Sequence, residues 1–223
     1  MKPASKFWRH LQRVERDFVG DRSAMAAVEF AFIVPLMLVT FFGTVEFSSG
    51  LASARKVTLT ASALADLTSE MSSAGNIAPI VDSDLQNMFN ASISIMNPYL
   101  QGGSTSVTAE IDEIYVDSNA KATYQWSRLA TAGPSASQAT LVSWPHNPGD
   151  PVPSLPSALL VKQTYVIMAQ VSYTYKPTID FGGLMSTAGV NLNDVAYSRP
   201  RQATCLVYNN TNPTPVNGAC PTP

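Results

Sequence analysis

Three regimes of hydrophobic spacing follow one another along the chain. In the first, Ala24 to Val45, 22 residues carry one charge, Glu29, and are otherwise almost wholly apolar. Wound as an α-helix the run is about 33 Å long, near the ~30 Å hydrocarbon thickness of a bilayer. A helix of that length buried in a soluble core normally keeps a polar face, and here that face is missing. The pattern predicts a membrane-inserted helix over residues 24–45.

The second regime is helical and weakly amphipathic. Phe47, Leu51, Ala54, Val57, Ala61, Leu64, Ala65, Thr68 and Met71 recur every three or four positions, so the same helix is expected to continue through residues 46–75 and lie on a sheet. Ser73-Ala74-Gly75 and Pro79 are its stop signals. A second helix is expected from Ser83, as cap, to Met96, with Leu85, Met88, Phe89, Ile93 and Met96 on one side and Asn97-Pro98 ending it.

In the third regime the period is two. "TSVTAEIDEIYVD" (105–117) and "KATYQWSRL" (121–129) read as a hairpin around Asp117-Ser118-Asn119. "LVKQTYVIMAQVSYTYK" (160–176) is the clearest strand, with Tyr165, Ile167, Ala169, Val171, Tyr173 and Tyr175 on one face and Thr164, Gln170, Ser172 and Thr174 on the other. A last strand, Gln202 to Tyr208, completes an antiparallel sheet of about four strands. "WPHNPGDPVPSLP" (144–156) holds five prolines and reads as a loop. The fold class is α+β: a long N-terminal helix, transmembrane in its first half and amphipathic in its second, packing on that sheet. Residues 1–23 form a basic leader, 24–45 the membrane helix, 46–75 its extension and 76–223 an outer domain.

Charge gives the orientation. Residues 1–23 carry six bases against three acids, and residues 46–223 carry eight against twelve. Short basic flanks stay in the cytoplasm, so everything beyond Glu46 is expected outside; the split indicates orientation rather than nucleic-acid binding. A removable secretory signal is the rival, because Ala52-Ser53-Ala54 has the small-x-small pattern of a cleavage site. The apolar run is, however, longer than the ~7–15 residues of a signal core.

Both cysteines, Cys205 and Cys220, fall on the outer side. A disulfide between them would pin the Pro/Asn-rich tail, residues 205–223, to the last strand for about 3 kcal/mol. Two free thiols are the alternative, and no metal site or cofactor is expected, since no other Cys or His lies nearby. His10 and His146 are expected on the surface or in loops, away from other ligating groups. No Gly-rich phosphate loop, H-E-x-x-H, C-x-x-C or G-x-S-x-G is present, and no enzymatic activity is expected. Asp112 and Glu113 adjoin in a strand and so point to opposite faces; both are expected to be solvated. The sequons at Asn90 and Asn209 have meaning only in a eukaryotic secretory route.

Counted from Met25 as first residue, Glu29 is fifth and Phe30 sixth. That spacing resembles the prepilin processing site, where a membrane peptidase cuts ahead of the apolar helix and frees an amine. Ala27-Val28-Glu29-Phe30-Ala31, Pro35-Leu36, and Gly43 followed by Val45-Glu46-Phe47 look like the N-terminal signature of the TadE/TadG-like family, over residues 22 to 55. These are minor pilins, or pseudopilins, of the bacterial tight-adherence (Flp-type) pilus. The resemblance implies a single-pass inner-membrane protein with its outer domain in the periplasm, or displayed in a pilus. Its partners would be other pilins and the inner-membrane assembly machinery, and Ala24–Met25 would be the bond cut by a prepilin peptidase. The family has glycine before that bond where this chain has Ala24, and uncut anchors also occur in it. Pro35 is expected to kink the helix and Gly43 to admit a second helix closely. The chain is thus expected to act as a minor pilin or assembly factor, with a membrane-tethered periplasmic binding module as the alternative.

Overall fold

The computed structural model describes residues 22–71, 77–100, 106–134, 136–177, 189–209 and 220. Most of the basic leader, the 73–75 stop signal and most of the tail beyond Asn209 lie outside them. Helix α1 spans Arg22–Ser69. The chain divides into two units, Met1–Ser48 and Ser49–Pro223. Within the first, the apolar residues stand bare: Met25, Phe30, Phe32, Leu36 and Phe41 are all exposed, Phe32 to 79%. Pro35 lies inside the helix, where it has no N–H to give.

The second unit is α+β. Its sheet has strand order β4-β3-β2-β5-β6, with β2 Val107–Val116, β3 Ala122–Ala132, β4 Thr140–Ser143, β5 Thr164–Tyr175 and β6 Val190–Ser198. All neighbours in it are antiparallel. The β2–β3 turn is held by Asp117, whose Oδ1 accepts from the backbone N–H of Asn119 and Lys121 at 2.7 and 2.8 Å, the Asx geometry that suits this residue to turns. In β3 the register slips once. Glu113 pairs with Trp126 and the next residue, Ile114, with Tyr124, leaving Gln125 as the extra residue of a bulge. Trp126 and Tyr124 therefore face opposite sides although two residues apart.

One face of this sheet receives two helices. Val57, Ala61, Leu64, Ala65 and Thr68 of α1 are buried at spacings of three and four. Helix α2, Asp82–Met96, adds Leu85, Met88, Phe89, Ile93 and Met96. They meet Val107, Ala109 and Ile111 of β2 and Ile167, Ala169, Val171, Tyr173 and Tyr175 of β5 in one core, and a side chain such as Phe89, sealed completely, contributes about 1.5–3 kcal/mol. The buried stripe of α1 begins later than expected, since Phe47 and Leu51 are exposed. Helix α2 starts one residue earlier than expected. Val81, rather than Ser83, occupies the cap, and its N–H reaches Asp84 Oδ2 at 3.3 Å.

The opposite face is also covered, which the sequence did not lead us to expect. Ile114, Val116, Ala122, Tyr124, Val166 and Met168 form a second core, overlaid by Val152, Leu155, Leu159 and Leu160. The Pro-rich segment 144–160 is thus a strap. It is zipped to the start of β3 by Gly149 N to Tyr124 O at 2.8 Å, Tyr124 N to Asp150 O at 3.0 Å and Val152 N to Ala122 O at 3.0 Å.

Strand β7, Cys205–Tyr208, corrects another expectation. It does not extend the main sheet but pairs in parallel with β1, Ile77–Ile80. Cys205 and Cys220 are bonded to each other beside Tyr115 and Tyr165. Where β6 begins, Gly189 has φ +79° and a Cβ there would lie 2.7 Å from the Tyr175 carbonyl oxygen, so glycine is required.

Candidate functional site

The first unit offers a helix surface and one carboxyl group. Helix α1 is the one described helix long and apolar enough to cross a membrane, and none of that apolar stretch is buried within the chain. A bare apolar surface of this extent belongs against lipid or other helices, and it points to a single membrane pass.

Glu29 is exposed on this surface. At ~100° per residue, Leu36, Thr40 and Gly43 stand within about 40° of Glu29 around the axis, while Leu38 is about 180° away. The Thr40 hydroxyl donates to the Met37 carbonyl at 2.9 Å, so it is satisfied within the helix. A Cβ built on Gly43 meets nothing within 4 Å. One stripe therefore combines a carboxyl group, a self-satisfied hydroxyl and a position without a side chain, the residue types that let helices approach in lipid. The second acid of the signature, Glu46, lies about 26 Å further along the axis and is buried, 5% exposed. The two acids that share a Glu-Phe motif are in unlike surroundings. The side chain of Ala24, at the resembling cleavage point, lies outside what is described.

In the second unit the strand acids are buried, not solvated. Asp112 and Glu113 do face opposite sides, and both are sealed completely. Glu113 accepts from Leu206 N at 2.6 Å and from Trp126 Nε1 at 3.0 Å. Burial pushes it up to about 8 against the pull of those two hydrogen bonds. On the other face, neither oxygen of Asp112 receives a hydrogen bond. Burial, then the charge of Glu110, pushes it up to about 8 as well.

His146 is not isolated either. Its Nε2 is 3.2 Å from Glu110 Oε1, and its ring stacks on Tyr124 with centroids 4.1 Å apart. The sequence signal for this cluster was the i, i+2 spacing of Glu110 and Asp112, which places both on one face of a strand. Asn90, within a sequon, is engaged internally: its Oδ1 accepts from Ala139 N at 2.9 Å.

Beside α2, Arg128 reaches Asp82 at 2.7 Å and lies 5.0 Å from the centre of the Trp144 ring and 5.5 Å from that of Tyr208. For Asp82, burial raises the pKa, but the hydrogen bonds from Tyr208 and Arg128 outweigh it and hold the group below the usual carboxylate range. This cluster fastens the strap's first residue to α2 and β7. Among the described residues no group of three His, Cys, Asp or Glu side chains is arranged to hold a metal ion.

A family model described as TadE-like protein matches residues 24–66, and over that stretch the chain is similar to that family. No curated protein matches the chain, and no solved structure does.

Proposed function

We propose that this TadE-like chain is a single-pass inner-membrane protein of a Gram-negative bacterium, and that it acts as a minor pilin or assembly factor of a tight-adherence pilus. One observation carries the proposal: the matched segment 24–66 contains the helix surface that is bare, apolar and marked by a single acid. The leader stays in the cytoplasm and the α+β domain lies in the periplasm, or outside the cell once assembled.

The mechanism is association, not catalysis. A carboxylate at mid-bilayer costs about 2.5–3.5 kcal/mol on insertion scales, and less near the interface. A cationic partner on a neighbouring stem neutralises that charge, and because both groups are short-range partners in lipid, it fixes the axial register of the two helices as well. Cleavage between Ala24 and Met25 would supply such a partner as the new N-terminal amine. Gly43, on the same stripe, lets the neighbouring backbone come close.

The test is complementation of a deletion strain with Glu29→Gln and Glu29→Ala. Pilus assembly is expected to be lost while the protein remains membrane-inserted and its outer domain folded. Normal pili from either variant would contradict the proposal and favour a tethered binding module, for which the acid has no use.

A further inference from the structure

The strap is seated over an arrangement of charges that association through the stem does not use. Glu110 and Asp112 share the outer face of β2. Asp112 is sealed from solvent with no hydrogen-bond donor at either oxygen, and the Ser127 hydroxyl beside it is directed to Glu110 Oε1 at 3.4 Å. Beside the Ser127 hydroxyl, the neighbour of Asp112 is the Glu110 carboxyl group, whose charge opposes ionisation of the sealed acid. A single proton between them resolves the conflict. It gives Asp112 an O–H to offer Glu110 and leaves one negative charge, which faces His146 of the strap at 3.2 Å.

The groups surrounding this pair come from four elements. Tyr124 of β3 feels the charge of both acids and also meets Tyr197 of β6 and Asp150 of the strap, while His146 of the strap faces Glu110. Strand β5 places the uncharged Gln170 and Met168 opposite Glu110 and Asp112. His146 is therefore the one basic side chain facing the pair among these described residues, and it belongs to the strap. The strap's later part is anchored by Val152, Leu155, Leu159 and Leu160 in the second core. Its first part is held by the backbone bonds of Gly149 and Asp150 to Tyr124 and by the side-chain contacts of His146 and Trp144.

We propose that the Glu110–Asp112 pair is a proton-operated catch for residues 144–150. While the pair holds one proton, His146 stays on Tyr124 and Glu110 and the arm is seated. When the proton leaves, a second buried negative charge appears without a donor, and the arm lifts to admit water. The upward displacement of Asp112 to about 8 places the release on the alkaline side of neutrality: an acid whose folded pKa is raised keeps its proton below that value and loses it above.

Hydrogen–deuterium exchange of the full chain in detergent micelles tests this. It compares about pH 7 with about pH 9.5, on either side of the raised Asp112 value, after correction for intrinsic rates. The amides of Gly149 and Asp150, bonded to Tyr124 O and Asn147 O, are expected to lose about tenfold protection in the wild type. That of Val152 should hold. In Asp112→Asn, which cannot ionise, the arm is expected to stay protected at both pH values. In Glu110→Ala, which removes the partner of His146, it is expected to exchange fast at both. An unchanged wild-type arm, or a pH response in Asp112→Asn equal to that of the wild type, would overturn the proposal. If Asp112→Asn does not fold, Glu110→Ala decides: an arm as protected at pH 7 as in the wild type overturns it too.

Discussion

Trp126 and Glu113 meet across β3 and β2, the indole Nε1 donating to Glu113 Oε2 at 3.0 Å where both side chains are buried. The same N–H reaches the Leu206 carbonyl at 2.9 Å, and Leu206 N donates to Glu113 Oε1 at 2.6 Å. One carboxyl group thereby ties the main sheet to β7, and through Cys205 to the tail. Glu113→Ala leaves the Leu206 N–H without its acceptor and opens a cavity. A loss of about 3 kcal/mol is expected in urea unfolding of the outer domain, with Glu113→Gln less harmful because an amide oxygen can still accept.

Asp112 and Glu113 together set an unusual pH dependence. Both folded pKa values are raised to about 8, far above those of the same groups in an unfolded chain. Between the two values the folded state binds more protons, so stability is full at low pH and falls as pH rises towards 8. Each acid contributes a slope of about 1.4 kcal/mol per pH unit while its extra proton separates the states, and the two windows overlap. Thermal unfolding is expected to shift upward as the pH is lowered from about 8.5 to about 5.5, and Asp112→Asn with Glu113→Gln should flatten that response. A melting temperature that rises with pH in the wild type would contradict the assignment of either acid.

The Cys205–Cys220 bond closes a loop with a sequence separation of 15. Reduction, or replacement of both residues by serine, is expected to lower the stability of the outer domain by about 3 kcal/mol. Because Cys205 adjoins Tyr115 and Tyr165, tyrosine signals should report the loosening of β7 while the helix-side core stays intact.

The parts of the fold that rest on local periodicity were legible in the chain. The face of β5 built from Tyr165 to Tyr175 is buried as the alternation requires, and Leu85 to Met96 line one side of α2. What escaped depends on tertiary context. Val166 and Met168 interrupt the polar face of β5, and their partner is the strap, whose five prolines conceal its apolar residues Val152, Leu155, Leu159 and Leu160. The strand Gln202–Tyr208 is short, and nothing in its pattern distinguishes joining the main sheet from pairing in parallel with Ile77–Ile80. Strand β6 was missed because "VNLNDVAYS" (190–198) is polar at most of its exposed positions. Asp112 and Glu113 were misplaced as solvated because a charge in a strand normally seeks water. Glu113 is buried against Trp126 and Leu206, which lie far along the chain, and the face of Asp112 is closed by a strap that its local sequence does not announce. In the candidate assembly site Glu29 and Gly43 were visible as breaks in an apolar run, but their common stripe with Leu36 and Thr40 follows from helical geometry.

The central claim is that stems associate sideways in the membrane along the stripe of Glu29. Photo-crosslinking in native membranes tests it most directly, with benzoylphenylalanine placed at Thr40, about 20° from Glu29 around the axis, or at Leu38, about 180° away. Adducts with another membrane-embedded pilin subunit are expected from position 40, not from position 38, and are expected to disappear when Glu29→Gln is added. Equal crosslinking from both positions, or adducts at position 40 that survive the loss of the acid, would contradict the account.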